Sequence, residues 1–264
     1  MPGAPPLGEW DHLPGRVEDN FRRLLDLFDE AGVKVTCFFL GWVAERSPGL
    51  VREAGSRGHE VASHGYGHRL VYELSPSEFF ADARQAKGIL EAIWGRPVKG
   101  YRSAGFSVTK DTVWFFEELV KAGYEYDSSV FPASRGHGGL RLSQYGPYRM
   151  QTPSGPLMEF PITVTEVFRR PLCFFGGGYL RVYPYPLVRL MSRRVLKEGR
   201  PVVFYVHPRE IDPDHPRLAM NFKRRFKSYV GLRGMEKKLR KILKDFPVTT
   251  FAQFLRDFGS SLKG

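Results

Sequence analysis

The chain has 264 residues, enough for one large α/β domain or two small ones and for a substantial buried core. Hydrophobic residues make up 42% and charged residues 26%, which excludes a wholly disordered or fibrous protein. The 40 Lys and Arg residues against 28 Asp and Glu give a net charge of +12, which indicates anionic surroundings such as membrane headgroups, acidic glycans or nucleic acid. The two cysteines, Cys37 and Cys173, each lie in an apolar run, so a disulfide framework is excluded.

Apolar stretches are too short for a membrane span, which needs roughly 18 consecutive apolar residues. The first ten residues, MPGAPPLGEW, lack the basic region and apolar segment of a signal peptide. We therefore expect a cytoplasmic or membrane-peripheral location.

Strand-like and helix-like patterns alternate along the chain. In chain order, the pattern predicts helix 17–31, strand 33–40, helix 47–58, strand 59–64, helix 75–94, strand 98–103, helix 110–122, strand 124–131, strand 158–168, helix 184–197, strand 201–207 and helix 234–246. The segment 132–156, rich in Gly, Pro, Ser and Arg, is predicted to be a long surface loop. This alternation indicates a parallel sheet, either a barrel or a doubly wound sheet.

Polar residues follow four of the predicted strands, at positions 64, 102, 127 and 207. The carboxyl ends of parallel strands meet at one edge of a sheet, and in both architectures that edge holds the active site. We therefore expect His64, Arg102, Asp127 and His207 to lie in one site.

The motif SHGYGH, residues 63–68, carries two histidines four residues apart directly after a strand. On a helical turn, His64 and His68 can reach the same metal, and neutral imidazoles suit zinc, cobalt, nickel or iron. Alternatively, one or both histidines bind backbone groups in a loop.

The other three polar residues each have a catalytic and a structural interpretation. Arg102 can orient a carboxylate or form a structural salt bridge. Asp127 can orient a histidine or cap a strand-to-helix turn. His207, after a buried strand, can act as an acid or base near neutral pH, or be a core histidine bound to a carbonyl group.

The segment from Arg217 to Lys244 holds eleven Lys or Arg residues and one acid, Glu236. Its apolar face, Leu239, Ile242, Leu243 and Phe246, favours a packed helix with a solvated basic face. Contact with an anionic membrane or an acidic polymer is the alternative.

The motifs SHGYGH, YRSAGF, YDSSVF and FYVHP, in that order, resemble those of the polysaccharide deacetylases, carbohydrate esterase family four. LGWVAER, GHEVASHGYGHR, GGGYLR and HPREIDP are similar to the branch found with bacterial exopolysaccharide and exosortase loci. The resemblance covers nearly the whole chain. It implies a bacterial α/β protein with a distorted (β/α) barrel of about seven strands, formed by one domain over residues 1–264.

The resemblance also implies a reaction and its residues. A divalent metal, usually zinc, is held in this family by one Asp and two His, which His64 and His68 match. His207 matches the catalytic acid, Arg102 the arginine that orients the base, and Asp127 the aspartate that tunes the acid. The implied function is N-deacetylation of an N-acetylated bacterial polysaccharide or oligosaccharide, in exopolysaccharide biosynthesis. The alternatives are a catalytically silent protein that binds glycan or supports its assembly, and a hydrolase of small amides.

The family's first motif, which supplies the base and the metal Asp on the first strand, has no counterpart among the eight residues before Glu9. From this we expect a barrel without its first strand and little deacetylase activity in the chain as numbered. An open barrel edge favours a homodimer. We expect no nucleic-acid partner.

Overall fold

The computed structural model describes residues 7–12, 15–133, 138–142, 144–217 and 221–258. Its helices are α1 (Val17–Glu30), α2 (Gly41–Arg46), α3 (Pro48–Ser56), α4 (Pro76–Trp94), α5 (Trp114–Lys121), α6 (Gly177–Val182), α7 (Tyr185–Lys197), α8 (Phe222–Tyr229), α9 (Leu232–Asp245) and α10 (Phe251–Phe258). Its strands are β1 (Thr36–Phe39), β2 (Glu60–Ser63), β3 (Gly100–Tyr101), β4 (Tyr126–Asp127), β5 (Tyr148–Thr152), β6 (Gly155–Glu159), β7 (Thr165–Val167) and β8 (Arg170–Leu172). Every described helix is too short or too polar for a membrane span.

The chain divides into two compact units. The first unit comprises Met1–Leu7, Lys34–Ile162 and Thr249–Gly264, and the second comprises Gly8–Val33 and Thr163–Val248. A single domain over residues 1–264 stays a prediction.

The first unit is built on a sheet which, within the described residues, has the strand order β1-β2-β3-β4-β6-β5. Adjacent strands from β1 to β6 in this order pair in parallel, and β5 joins the edge antiparallel to β6. Helices between the strands cover the sheet, as in α4 against β2. The predicted α/β class with a parallel sheet is confirmed.

Helix α4 begins and ends where the sequence predicts. Ser75 accepts a hydrogen bond from the Glu78 amide, Glu78 accepts one from the Ser75 amide, and Pro76 occupies the first turn. Gly95 ends the helix with a φ of 74°, which favours glycine. Phe79, Ala83, Ala86 and Leu90 form its buried face, at the spacing of an amphipathic helix.

The prediction of a loop over residues 132–156 is wrong for its last part. β5 and β6 form an antiparallel hairpin that pairs Tyr148 with Glu159 and Thr152 with Gly155. β5 alternates half-buried and exposed residues as a strand does, but it is only five residues long and lies in a segment rich in Gly, Pro, Ser and Arg, which favours a loop prediction. Residues 134–137 and 143 of the predicted loop lie outside the described residues.

Aromatic residues form the core against one face of this sheet. Tyr126, Phe160 and Phe251 pack with ring centroids 4.7 to 5.8 Å apart. Glu60 fixes α10 over this cluster, because its carboxylate accepts from the Ala252 amide at 3.0 Å and from the Tyr126 hydroxyl at 2.8 Å. The last apolar run of the sequence, residues 248–255, thus lies largely in α10, an amphipathic helix whose Phe251, Phe254 and Leu255 pack on this cluster.

The second unit has a core around Phe174, Phe175 and Val195, packed with side chains of α7. β7 and β8 form a separate antiparallel hairpin. Asp212 ties α1 to the segment after Ile211, because Arg16 donates to its carboxylate at 2.6 Å and Asn20 at 2.8 Å.

Two predicted strands are corrected. Residues 201–207 are not a regular strand: among the described residues they pair only through Tyr205, which forms a parallel bridge with Gly176. The Val203 amide donates instead to the hydroxyl group of Thr163 at 2.8 Å. The predicted strand 158–168 is split between β6 and β7, since residues 160–164 join neither ladder.

Candidate active site

The two histidines of the SHGYGH motif lie side by side. His64 follows β2 directly, and the centroids of the His64 and His68 rings are 5.1 Å apart with an interplanar angle of 72°. Both side chains are partly exposed. This arrangement allows two imidazoles to approach the same point from different directions.

The hydrogen bond of His64 decides which ring nitrogen is available. His64 Nδ1 lies 2.6 Å from the carbonyl oxygen of Arg102. A carbonyl oxygen only accepts, so Nδ1 carries the proton, and the lone pair of a neutral ring is on Nε2. Ligation through Nε2 with Nδ1–H bound to a carbonyl is a common arrangement of metal-binding histidines.

The loop between the histidines is held by Gly65 and Asp82. Gly65 has a φ of 75°, and a Cβ atom there would lie 2.8 Å from a carboxylate oxygen of Asp82. Asp82, on α4, accepts a hydrogen bond from the Tyr66 amide at 2.8 Å. Burial raises the pKa of Asp82, against the lowering effect of the Tyr66 and Gly67 amides. A side chain at position 65 would therefore displace the group that orients this loop.

Arg102 is buried beside the same strand end. Its Nε donates to the Ser128 carbonyl at 3.1 Å and its Nη2 to the Ser128 hydroxyl at 2.8 Å. The guanidinium carbon lies 4.3 Å from the centroid of the Phe38 ring. Packing and these hydrogen bonds fix the arginine in place.

Asp127 ends β4 and is fully buried. Its carboxylate accepts from the Ser129 amide at 3.1 Å and from the Ser129 hydroxyl at 2.5 Å. Asp127 pairs with Tyr101 of β3 in the sheet. Arg102 is the residue directly after Tyr101, so it lies one position beyond the residue that pairs with Asp127. Since successive side chains of a strand alternate between faces, Asp127 and Arg102 project from opposite faces of the sheet.

Glu159 is the neighbour of Asp127 on β6. The two residues pair in the parallel register, and both are fully buried. Burial raises the pKa of Asp127 to about 6, and burial together with the Asp127 charge raises that of Glu159 well above its usual value. Glu159 Oε1 accepts from the Val130 amide at 3.0 Å, while Oε2 has no hydrogen-bond partner among the described residues. Two buried carboxyl groups side by side do not both ionise easily, which is why both pKa values are raised.

His207 lies in the second unit beside a different carboxylate, Glu210. His207 Nδ1 is 3.5 Å from Glu210 Oε2, and the His207 amide donates to the same oxygen at 3.1 Å. The His207 side chain is 55% exposed, whereas Glu210 is buried. Burial alone would raise the pKa of Glu210, but the hydrogen bonds and charges of His207 and Arg181 lower it.

Arg181 holds Glu210 from the other side. Its Nε is 3.3 Å from Glu210 Oε1, and its other nitrogens donate to the carbonyl groups of Lys227, Ser228 and Val230 at 2.9 to 3.0 Å. The motifs GGGYLR and HPREIDP thus meet in a buried ion pair that supports His207.

The first unit brings together His64 and His68, with Arg102 and Asp127 on neighbouring strand ends. His207 belongs to the second unit, so its place beside the other four stays a prediction, as does its tuning by Asp127. The two imidazoles fit a zinc-type divalent metal as two of its ligands. Among the described residues, no group of three or more His, Cys, Asp or Glu side chains adds a third.

Three supporting residues were missed by the sequence reasoning: Asp82, Glu159 and Glu210. Glu210 had a signal, because a glutamate three residues after His207 matches the spacing of a capping box, which the structure contains. Asp82 and Glu159 had none, since one lies on a helix far from its loop and the other in an apolar run.

Family models match most of the chain. Residues 9–126 match the model described as polysaccharide deacetylase, and residues 128–256 match one described as a domain of unknown function, DUF3473. Residues 9–126 thus match the polysaccharide deacetylase family, as the motifs in this part of the chain predicted.

Two curated relatives are similar over part of the chain. A peptidoglycan deacetylase-like protein, FGM2, of Gibberella zeae is 29% identical over 110 residues, 41% of this chain and 32% of its own length. A peptidoglycan-N-acetylglucosamine deacetylase of Bacillus cereus is 29% identical over 80 residues, 30% of this chain and 29% of its own length. The chain spans about a third of the length of these relatives.

A solved structure has the same fold over nearly the whole chain. It is that of a Mycobacterium smegmatis protein assigned as a polysaccharide deacetylase, with a TM-score of 0.64 and 21% identity. The match covers 93% of this chain and 78% of that one. This likeness confirms the fold of the family.

Proposed function

We propose that this chain is a metal-dependent N-deacetylase that hydrolyses acetamide groups of an N-acetylated bacterial polysaccharide. The observation that carries the proposal is the imidazole pair of His64 and His68, with Nδ1 of His64 bound to a carbonyl group and 5.1 Å between the rings. This geometry is the one that two ligands of a single divalent metal need.

A divalent metal bound by His64 and His68 supplies Lewis acidity, which polarises an acetamide carbonyl and lowers the pKa of water. The two histidines bind it through neutral rings. His64 is kept in the required tautomer by the Arg102 carbonyl. Gly65 and Asp82 hold the loop that carries His68.

His207 is proposed as the general acid, which donates a proton to the departing amine. Its side chain is 55% exposed, and the Glu210 carboxylate 3.5 Å from Nδ1 keeps the ring oriented. Water adds to the acetamide carbon, the C–N bond breaks, and the products are acetate and a free amine. Arg102 is proposed to orient the carboxylate base of the family, a residue that has no counterpart among residues 1–8.

The proposed substrate is a polymer of N-acetylhexosamine. Supporting this class, one relative is named a peptidoglycan-N-acetylglucosamine deacetylase. The exopolysaccharide-type motifs favour a secreted or capsular glycan within that class.

Metal titration tests the proposal directly. Wild-type protein should bind one Co²⁺ or Zn²⁺ with an affinity that falls about 100-fold or more in His64→Ala and in His68→Ala. His12→Ala, which removes an exposed histidine in the other unit, is the matched control and should bind as the wild type does. Equal affinities in all four proteins would contradict the metal site.

Acetate release distinguishes the remaining alternatives. N-acetylglucosamine oligomers, small linear amides and ring amides are compared with metal present, in wild type and in His207→Ala. Little release is expected without the family's first motif, so metal-dependent release from the oligomers that His207→Ala lowers supports the deacetylase. Release from small amides alone favours the amide hydrolase. Metal binding and glycan binding without release identify the catalytically silent protein.

The proposal includes contact with an anionic membrane surface through the basic segment 217–244. Within it, α8 exposes Phe222 (82%) and Phe226 (54%), one helical turn apart, together with Arg225 and Lys227. Aromatic side chains among basic ones suit the interface of an anionic bilayer. Residues 218–220 lie outside the described part of the segment.

A further exposed aromatic side chain, outside α8 but in the same unit, supports this contact. Phe168, at the turn between β7 and β8, is 97% exposed and is followed by exposed Arg169 and Arg170. Sedimentation with phosphatidylglycerol vesicles should capture the wild type, and Phe222→Ser/Phe226→Ser and Phe168→Ser should each bind more weakly. Capture equal to that on phosphatidylcholine vesicles would refute the contact. The proposed homodimer is tested by analytical ultracentrifugation of the same preparations.

A further inference from the structure

A chain of hydrogen bonds joins Asp127 to His64 through a single peptide group. The Ser129 hydroxyl donates to Asp127 Oδ1 at 2.5 Å and accepts from the Ser103 amide at 2.7 Å. The Ser103 amide belongs to the same peptide group as the Arg102 carbonyl. That carbonyl accepts the Nδ1 proton of His64 at 2.6 Å.

Every link of this chain has one direction. The carboxylate and the carbonyl group only accept, so the proton of the Ser129 hydroxyl points to Asp127 and that of His64 Nδ1 points to Arg102. The Ser129 oxygen is thereby free to receive the Ser103 amide proton. Hydrogen bonds aligned in this way polarise one another, and the peptide group transmits the effect from its amide to its carbonyl.

The environment protects this chain from water. Asp127 and Ser129 are fully buried, and Ser103 is 1% exposed. The charge of Asp127 is stabilised by the Ser129 amide as well as by its hydroxyl. In such surroundings each hydrogen bond is electrostatically stronger than it would be in water.

We propose that Ser129 and Asp127 are positioning residues for His64, acting through the peptide group between Arg102 and Ser103. They fix the plane of that peptide, which fixes the His64 ring and keeps its proton on Nδ1. This inference rests on the proposed function in so far as His64 binds a metal. It gives Asp127 a role on the His64 side of the site, distinct from tuning the acid.

The test removes one hydroxyl group. Ser129→Ala breaks the chain in the middle, and Ser129→Thr retains it. Ser107→Ala is the matched control, because Ser107 is equally buried and its hydroxyl accepts the Val71 amide at 2.9 Å, without any link to His64. Asp127→Asn removes the charge but keeps the shape, and serves if Ser129→Ala does not fold.

Two readouts are measured on each protein. The first is the affinity for Co²⁺, which should fall about tenfold in Ser129→Ala, the loss typical of removing an outer hydrogen-bond partner. The second is the nitrogen NMR spectrum of His64 in metal-free protein at a pH where the ring is neutral. The wild type should show the tautomer of His64 that is protonated on Nδ1. Ser129→Ala should show a measurable fraction of the tautomer that is protonated on Nε2.

The outcomes separate this inference from the proposed function. Weaker metal binding and a changed tautomer in Ser129→Ala, with Ser129→Thr and Ser107→Ala unchanged, support the positioning role. A Ser129→Ala protein that matches Ser107→Ala in both readouts overturns it. If wild type binds no Co²⁺ through His64, the proposed function fails, and the NMR comparison alone decides the positioning role. If Ser129→Ala does not fold and Asp127→Asn does, a His64 tautomer in Asp127→Asn that is unchanged from wild type overturns the positioning role.

Discussion

The buried pair of Asp127 and Glu159 predicts an unusual dependence of stability on pH. We consider Asp127→Asn, which removes the carboxyl group but keeps an oxygen for the Ser129 amide and hydroxyl. In wild type, the folded state holds protons that the unfolded chain releases, because burial raises the pKa of both carboxyl groups. Stability contributed by the pair is therefore lost as the pH rises.

The size of the expected change in the free energy of unfolding follows from the shift in the pKa of Asp127. Its pKa rises from 3.8 in the unfolded chain to about 6 in the folded protein. One unit corresponds to about 1.4 kcal/mol, so this group costs the folded state about 3 kcal/mol once the pH has risen from 4 to above 6. The asparagine side chain of the variant does not titrate. The free energy of unfolding of Asp127→Asn, minus that of wild type, should therefore increase by about 3 kcal/mol across this window.

Urea unfolding at half-unit intervals from pH 4 to pH 8 measures this difference. Glu125→Gln is the control, because Glu125 lies on the neighbouring turn, is exposed and pairs with Lys99 at the surface. Its curve should run parallel to that of wild type. If the Asp127→Asn curve is parallel as well, folding does not raise the pKa of Asp127 and the reasoning is refuted.

Three further predictions concern the supports of the two histidine sites. Gly65→Ala should lower the free energy of unfolding by about 2 kcal/mol in urea, because of its positive φ and the contact with Asp82, whereas Gly88→Ala should raise it slightly. The pKa of Glu210 is lowered, so Glu210→Gln should be less stable than wild type at pH 7, and the difference should shrink as the pH falls below 4.5, the ordinary pKa of a glutamate. Arg181→Met should cost about 3 to 5 kcal/mol by leaving Glu210 unpaired, and combining it with Glu210→Met should recover much of this loss.

Local pattern was sufficient for the elements whose ends carry their own signals. The capping box at Ser75 and the glycine at position 95 bound α4 because the interactions that start and stop a helix lie within a few residues. Local pattern was also sufficient for the polar residues at the ends of β2, β3 and β4, which are His64, Arg102 and Asp127. Strands that alternate with helices pair in parallel, so their carboxyl ends lie at the same edge of the sheet. The motifs predicted a match to the polysaccharide deacetylases, which the family model confirms for residues 9–126.

Interactions between distant segments decided the rest. β5 has a partner only because β6 folds back on it. Tyr205 forms a bridge rather than a strand because the Val203 amide donates to the Thr163 hydroxyl instead of to a neighbouring strand. The bridge at Tyr205 and the hydrogen bond at Val203 join residues tens of positions apart, which leaves no local period.

The chemistry of the site shows the same division. The sequence by itself determined which residues are able to ligate a metal or transfer a proton, because that depends on the side chain alone. Only the tertiary structure decided that Asp127 faces Glu159, that Glu210 lies beside His207, and that one peptide group joins Ser129 to His64. The proton positions of these groups are set by burial and by neighbours from other strands, and neither exists until the chain has folded.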